Sequence, residues 1–255
     1  MASGYLERVI LGDQRGPIGW LILALLWPLS LIYRIGLAVY LWVYNVGLRK
    51  RCKLAVPVIS VGNLTFGGTG KTPAVQELCR ILTGRGQKVV VLSRGYGGSA
   101  RTPMVVSDGK RVLADSLQAG DEPVLLAQTL DNVAVVVGKD RRASGKLAQK
   151  LFNPDVIVLD DGMQYWQLHR NLDIVVLDAA RPFGSGFVMP MGDLREPVSG
   201  LRRAGIVLLS GISNATDKTL IPRIAQLAPK AHVCGCMREP VCFINAADGQ
   251  SLDLD

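Results

Sequence analysis

The stretch Val56-Pro57-Val58-Ile59-Ser60-Val61-Gly62-Asn63-Leu64-Thr65-Phe66-Gly67-Gly68-Thr69-Gly70-Lys71-Thr72 constrains this chain more than any other part. An apolar, β-branched run enters a glycine-rich turn that closes on Gly-Lys-Thr, and Pro73-Ala74-Val75 then opens a helical pattern. Strand, phosphate-wrapping loop and helix is the layout of a nucleoside-triphosphate site. Gly67, Gly68 and Gly70 let the backbone curl until its N–H groups point inward at phosphate oxygens. Lys71 adds a point charge for the β and γ phosphates, and the Thr72 hydroxyl offers a ligand to magnesium. Thr65 stands where the formal pattern has a glycine. A plain glycine-rich turn with a surface lysine is the competing reading, and the strand and helix on either side argue against it.

Downstream, apolar runs alternate with helical patterns. Strands are expected at Lys88–Leu92, Val133–Val137, Val156–Leu159, Leu172–Leu177 and Ile206–Leu209, and helices at Ala74–Thr83, Arg141–Leu151 and Thr219–Leu227. Met104–Ser107 and Arg111–Leu113 flank Asp108-Gly109, a hairpin signal. Near-continuous Val/Ile/Leu strands alternating with helices predict an α/β fold, a parallel sheet with helices on both faces. Ligands gather at the carboxyl ends of such strands. That places Lys71, Arg94 in the Ser93–Gly98 loop, and the Asp160-Asp161 pair ending the Val156 strand on one rim. A carboxylate beside a phosphate loop holds the metal in nucleotide hydrolases and kinases of this kind. Helix capping or a solvated strand end is the alternative for that pair. Asp121-Glu122, at the start of another helical pattern, is a second carboxylate pair. Asp121 is a candidate general base and equally a candidate N-cap.

The N-terminal residues 1–53 read differently. Gly16 to Tyr33 and Ile35 to Leu48 carry no charge, are rich in Trp and Tyr, and lead into Arg49-Lys50-Arg51-Cys52-Lys53. Each run is short for a full span, Pro28 is expected to break or kink the first, and Arg34 separates them. An interfacial helix or helical hairpin on the cytoplasmic face of a membrane is the preferred reading, with a single span or a helix packed on a soluble core as alternatives. Hydrophobic content of 49% agrees, and a net charge of +8 favours acidic partners such as nucleotide or anionic lipid. No nucleic-acid recognition motif is visible, and no protein partner is inferred. Five cysteines at an odd count suggest reduced thiols in the cytoplasm. The Cys234 and Cys236 pair is expected to be buried small apolar side chains rather than metal ligands.

These pieces, in this order, resemble tetraacyldisaccharide 4'-kinase, the lipid A 4'-kinase family of Gram-negative bacteria. The residues that carry the resemblance are Pro57–Asn63 leading into Gly67–Pro73, Ser93-Arg94-Gly95-Tyr96-Gly97-Gly98, Gly120-Asp121-Glu122-Pro123, Leu159-Asp160-Asp161-Gly162, Leu168–Asp173 and Leu194-Arg195-Glu196-Pro197. The resemblance implies a P-loop NTPase-like kinase domain over residues 54–255. Its reaction would be ATP- and Mg2+-dependent phosphorylation of the 4'-hydroxyl of a membrane-embedded acylated glucosamine disaccharide 1-phosphate, giving lipid IVA at the inner membrane. It also implies site roles. Thr65, Phe66, Gly67, Gly68, Thr69, Gly70, Lys71 and Thr72 would form the ATP loop. Asp121 would be the base, Thr72, Glu122, Asp160 and Asp161 would face the metal, and Arg94, Arg141 and Glu196 would lie near the acceptor.

Two departures accompany it. Tyr165 replaces the histidine of the usual Asp-Asp-Gly-Phe-Gln-His segment, and Met163 its phenylalanine. Family members are also expected to continue past residue 255, with a further strand region and a histidine that works with the base. His169 and His232 are the histidines here, and neither sits in that context. A fragment or an inactive remnant is therefore one alternative. The other is a membrane-associated P-loop switch ATPase, against which stand Phe66 at its signature-lysine position and the lack of an Asn-Lys-x-Asp motif.

Overall fold

Strands covered on both faces need apolar side chains on both, which is why unbroken Val/Ile/Leu runs build the centre of this molecule. The computed structural model describes residues 4–212, 214–237, 242–244 and 250–253. The outer limits of the two expected segments, 1–3 and 254–255, lie outside the described residues. In chain order the elements are α1 (Tyr5–Leu11), α2 (Pro17–Asn45), β1 (Val58–Gly62), α3 (Lys71–Gly84), β2 (Val89–Ser93), β3 (Met104–Asp108), α4 (Ser116–Ala119), α5 (Asp121–Thr129), β4 (Ala134–Val137), α6 (Arg141–Phe152), β5 (Val156–Asp160), β6 (Leu172–Asp178), β7 (Ile206–Ser210), α7 (Asn214–Leu227), β8 (His232–Cys236), β9 (Cys242–Ile244) and β10 (Ser251–Asp253). A 3-10 turn covers Val198–Arg203.

Eight strands form one sheet in the order β3-β4-β2-β5-β1-β6-β7-β8. Every pairing in it is parallel except β3 with β4, so the expected parallel sheet carries one antiparallel edge. The expected hairpin is correspondingly reduced. Arg111–Leu113 returns against β3 through the antiparallel Ser107–Val112 bridge and the Asp108 N–H to Arg111 carbonyl and Leu113 N–H to Val106 carbonyl bonds, while the β3 ladder itself goes to β4.

Alternation along β5 shows how the layers divide. Val156 and Val158 enter the core under α3 and α5, whereas Ile157 and Leu159 enter the opposite core with Ala148 of α6. A third core joins β6 and β7 to Leu220 and Ile224 of α7. Of the five cysteines, all without a disulfide, Cys79 is buried but Cys234 is exposed. Among the described residues β8 pairs with β7 alone, and with Cys234 exposed and Cys236 half-buried their shared face is not the covered one that the sequence suggested.

The N-terminal segment corrects one expectation more strongly. It is neither broken at Pro28 nor folded into a hairpin: α2 is a single 29-residue helix, about 43 Å long, that runs through both Pro28 and Arg34. Proline removes one helical hydrogen bond, but packing along one stripe holds the helix across that gap. Gly19, Leu23, Ser30 and Tyr44 are buried on that stripe, with Val9 of α1, Met191 and Phe187 packed around Leu23. The remaining faces keep Trp20, Leu21, Leu25, Trp27, Ile32, Ile35, Val39 and Trp42 exposed. By length and apolarity α2 is also sufficient to cross a bilayer.

Candidate active site

The carboxyl ends of β1, β5 and β2 lie side by side, and each delivers a different chemistry to one cavity of about 760 Å³. From β1 comes the glycine-rich loop. Gly70 is left-handed at φ 91°, a conformation that costs little only without a Cβ, and it turns the chain into α3. No side chain caps the first turn of α3, so its amides and Lys71 and Thr72 face the cavity. The loop is braced from outside the cavity. The Asn63 amide donates to the Thr65 carbonyl and to Thr69 Oγ1, and Ser210 Oγ of β7 donates to the Thr69 carbonyl at 2.8 Å.

From β5 come the two carboxylates. Asp160, 3% exposed, accepts a 2.8 Å bond from Ser93 Oγ at the end of β2. Burial, with Glu122 and Asp161 close by, pushes its carboxyl up to about 6. Asp161 follows in the left-handed region at φ 51°, where an Asp is tolerated better than most residues. It receives both bonds of Arg195 Nη1, at 2.8 and 2.7 Å, and lies 3.9 Å from Lys71 Nζ. Stacked 4.9 Å from the Phe66 ring, the Arg195 guanidinium has a buried Nε with no partner.

From β2 comes the loop with Arg94 and the 82% exposed Tyr96, both lining the cavity. Gly120 lets this loop meet α5 backbone to backbone. A Cβ there would stand 2.2 Å from the Tyr96 carbonyl oxygen, and the residue is already at φ 89°. That contact sets the α5 N-terminus on the rim. Glu122 lines the cavity. Asp121 is exposed at the first position of α5, and its side chain makes no capping bond; it lies one residue outside the lining.

Arg141 enters from the start of α6. It is 4% exposed, its ring neighbour is Tyr165 at 5.1 Å, and its Nε has no hydrogen-bond partner. Burial, and then Arg94, lowers its pKa. Tyr165 therefore has a definite place: its ring supports Arg141 while its hydroxyl donates to Asp140 at 2.9 Å. Glu196 lies behind the wall rather than on it. Its oxygens are taken by Arg203 and by Gln164 Nε2, whose amide also reaches the Asn63 carbonyl. A direct contact with an acceptor would have to displace those partners; holding Gln164, which does line the cavity, is what the observed bonds do.

Lys71, Arg94, Arg141 and Arg195 line this space together with Glu122, Asp160 and Asp161. Four cations beside the open amides of the glycine-rich loop suit an anion with several oxygens. Among the described residues no three His, Cys, Asp or Glu side chains are grouped to enclose a metal by themselves. Magnesium does not need such a cage, since it keeps waters and uses one or two carboxylates plus substrate phosphates. A carboxyl raised by burial and then by its carboxylate neighbours, Glu122 and Asp161, fits that ion. The sequence assigns Glu196 a role but none to its neighbour Arg195, nor to Ser93, Gln164 and Tyr33, all on the lining. Strand-end position was a usable signal for Ser93. None existed for Tyr33, which comes from α2.

Residues 22–254 match the family described as tetraacyldisaccharide-1-P 4'-kinase, LpxK. The chain is 48% identical to the tetraacyldisaccharide 4'-kinase of Geobacter metallireducens over 76% of this chain and 58% of that protein. It is 45% identical to the one from an Anaeromyxobacter species over 88% and 60% respectively. Among solved structures, LpxK from Aquifex aeolicus in complex with ATP superposes with a TM-score of 0.69 at 39% identity, covering 74% of this chain and 58% of that one. The chain spans about three fifths of the length of these curated relatives.

Proposed function

The chain belongs to the tetraacyldisaccharide-1-P 4'-kinase family, and from that premise we propose that it transfers the γ-phosphoryl group of ATP to the 4'-hydroxyl of an acylated glucosamine disaccharide 1-phosphate. The observation that carries this reading is the meeting of the glycine-rich loop, the Lys71, Arg94, Arg141 and Arg195 cations and the Asp160-Asp161 pair in one cavity whose wall includes Tyr33 of the apolar helix α2. Phosphoryl transfer needs alignment and charge neutralisation more than covalent help. The Thr65–Thr72 loop and Lys71 hold the phosphates. Arg94, Arg141 and Arg195 supply the remaining positive charge, and Thr72, Glu122, Asp160 and Asp161 offer oxygens to Mg2+. When bound, the ion would supply positive charge that neutralises the transferred phosphoryl group. Asp121, exposed beside Glu122, takes the acceptor hydroxyl proton. Glu196 acts on the acceptor side through Gln164.

Helix α2 suits a helix lying in the membrane interface. One stripe is seated on the protein and the others are apolar and rich in tryptophan, with Arg49, Lys50, Arg51 and Lys53 following it. We assign it to the cytoplasmic face of the inner membrane, where ATP and an acylated acceptor both reach the cavity. The test is incubation of the chain with labelled ATP, Mg2+ and the disaccharide 1-phosphate in detergent micelles, followed by separation of the lipids. A labelled bisphosphorylated lipid is expected. Bound Mg2+·ATP without any labelled lipid would overturn the acceptor assignment.

A further inference from the structure

Ser30 and Tyr33, on neighbouring turns of α2, each hydrogen-bond the rest of the protein, and the two bonds differ in what lies behind them. Ser30 Oγ donates to the Val188 carbonyl at 2.8 Å, and one turn later Tyr33 Oη donates to the Arg195 carbonyl at 2.7 Å. Both acceptors belong to the segment that runs alongside the entrance of the phosphate loop. There the Arg195 N–H binds the Leu64 carbonyl at 2.7 Å, the Phe66 N–H binds the Asp193 carbonyl at 2.8 Å, and Thr65 and Leu194 form an antiparallel bridge. Only Tyr33 acts on the residue whose side chain enters the cavity. Beyond its carbonyl, Arg195 holds Asp161, which lies beside Lys71.

We propose that Tyr33 is a positioning residue: its hydroxyl fixes the backbone of Arg195, and so couples the seating of the apolar helix to the charge arrangement at the phosphate loop. The physical basis is short-range and directional. The Arg195 backbone has its N–H on the loop and its carbonyl on α2, so the residue is clamped from both sides. Its guanidinium then lies against the Phe66 ring and bonds Asp161 on the cavity wall. Without the Tyr33 hydroxyl the carbonyl loses that partner, the clamp becomes one-sided, and the guanidinium is no longer held at the place where phosphate oxygens arrive. A single bond of this kind is worth a few-fold to about tenfold in an equilibrium constant.

The inference rests on reading the cavity as a triphosphate site, and the experiment separates the two. Mg2+·ATP affinity is measured by calorimetry for the wild type, Tyr33→Phe, Ser30→Ala, Arg195→Ala and the Tyr33→Phe/Arg195→Ala double variant. Tyr33→Phe is expected to weaken binding roughly three- to tenfold. The same change is expected to have almost no effect once Arg195 is alanine, because the route runs through that guanidinium. Ser30→Ala, which loosens the same helix without touching Arg195, is expected to match the wild type. Equal losses from Tyr33→Phe and Ser30→Ala, or an undiminished loss in the Arg195→Ala background, would overturn the coupling. Amide exchange without nucleotide gives an independent arm. The N–H groups of Phe66 and Arg195 should exchange several-fold faster in Tyr33→Phe than in Ser30→Ala, and equal rates would also overturn it. A wild type that fails to bind Mg2+·ATP would refute the triphosphate reading, while the exchange arm still decides the role of Tyr33.

Discussion

Replacing Asp160 by asparagine should make this protein more stable and less active at the same time. The carboxyl is pushed up to about 6 from the ordinary 3.8, chiefly by burial and against the opposing help of the Ser93 hydroxyl. A carboxyl whose pKa is raised on folding binds its proton more tightly in the native state. The penalty is therefore absent below about 3.8, grows as pH rises towards about 6, and is fully present above that. The gap amounts to ~3 kcal/mol of native-state stability lost at neutral pH. Asp160→Asn removes the charge and keeps an oxygen for the Ser93 bond, so it should recover much of that sum. For a chain of this size that is roughly 6–12 °C in Tm. Urea unfolding at pH 5 and pH 8, without nucleotide, is the assay. The gain should be clear at pH 8 and should shrink at pH 5, where the wild-type carboxyl is itself protonated. Phosphoryl transfer should fall by two orders of magnitude or more across both pH values, because a carboxamide offers no charge to a metal. A variant less stable than wild type at pH 8, or equally stabilised at both pH values, would refute the reasoning.

Lys71→Ala and Asp121→Ala should each lower turnover about a hundredfold, the usual cost of removing one transition-state contact, with far smaller changes in acceptor KM under steady-state assay. Tyr165→Phe keeps the ring beneath Arg141 and should change Mg2+·ATP affinity less than about threefold, whereas Tyr165→Ala, which removes the ring, should weaken it by more than that in the same titration. Gly120→Ala forces a Cβ against the Tyr96 carbonyl, so it should cost at least 1–3 kcal/mol in urea unfolding and depress activity by displacing Arg94 and Glu122 together. Exchanging Trp20, Trp27 and Ile35 for lysine should release the protein from liposome flotation without changing Mg2+·ATP affinity, since these side chains face outward.

Much of the site was readable where the chemistry is local. Lys71 and Thr72 follow their glycines in the chain, and Asp160-Asp161 closes an apolar run, so a strand-end rule was enough to put them on one rim. Arg94 was placed by the same rule and Glu122 by the family resemblance, and both line the cavity. Glu196 illustrates where that reasoning stopped. Sequence put it near the site, but not on which side of the wall, because a carboxylate's role depends on whether an arginine such as Arg203 reaches it. Pro28 and Arg34 misled in the same way. Each weakens an isolated helix, and packing of Leu23, Ser30 and Tyr44 against the domain outweighs both.

Periodicity and glycine placement are properties of neighbours along the chain, and from them alone came the alternating strands and helices, the phosphate-binding turn and the carboxylates at the end of β5. Contacts between residues far apart in the chain have no such local trace. That Tyr33 would reach Arg195 across more than 160 positions, that Tyr165 would carry Arg141, and that β3 would turn antiparallel at the edge were settled only when the sheet brought those segments together. Short-range order is encoded in spacing; which distant partners meet is decided by packing, where burial and hydrogen-bond satisfaction act on the whole fold at once.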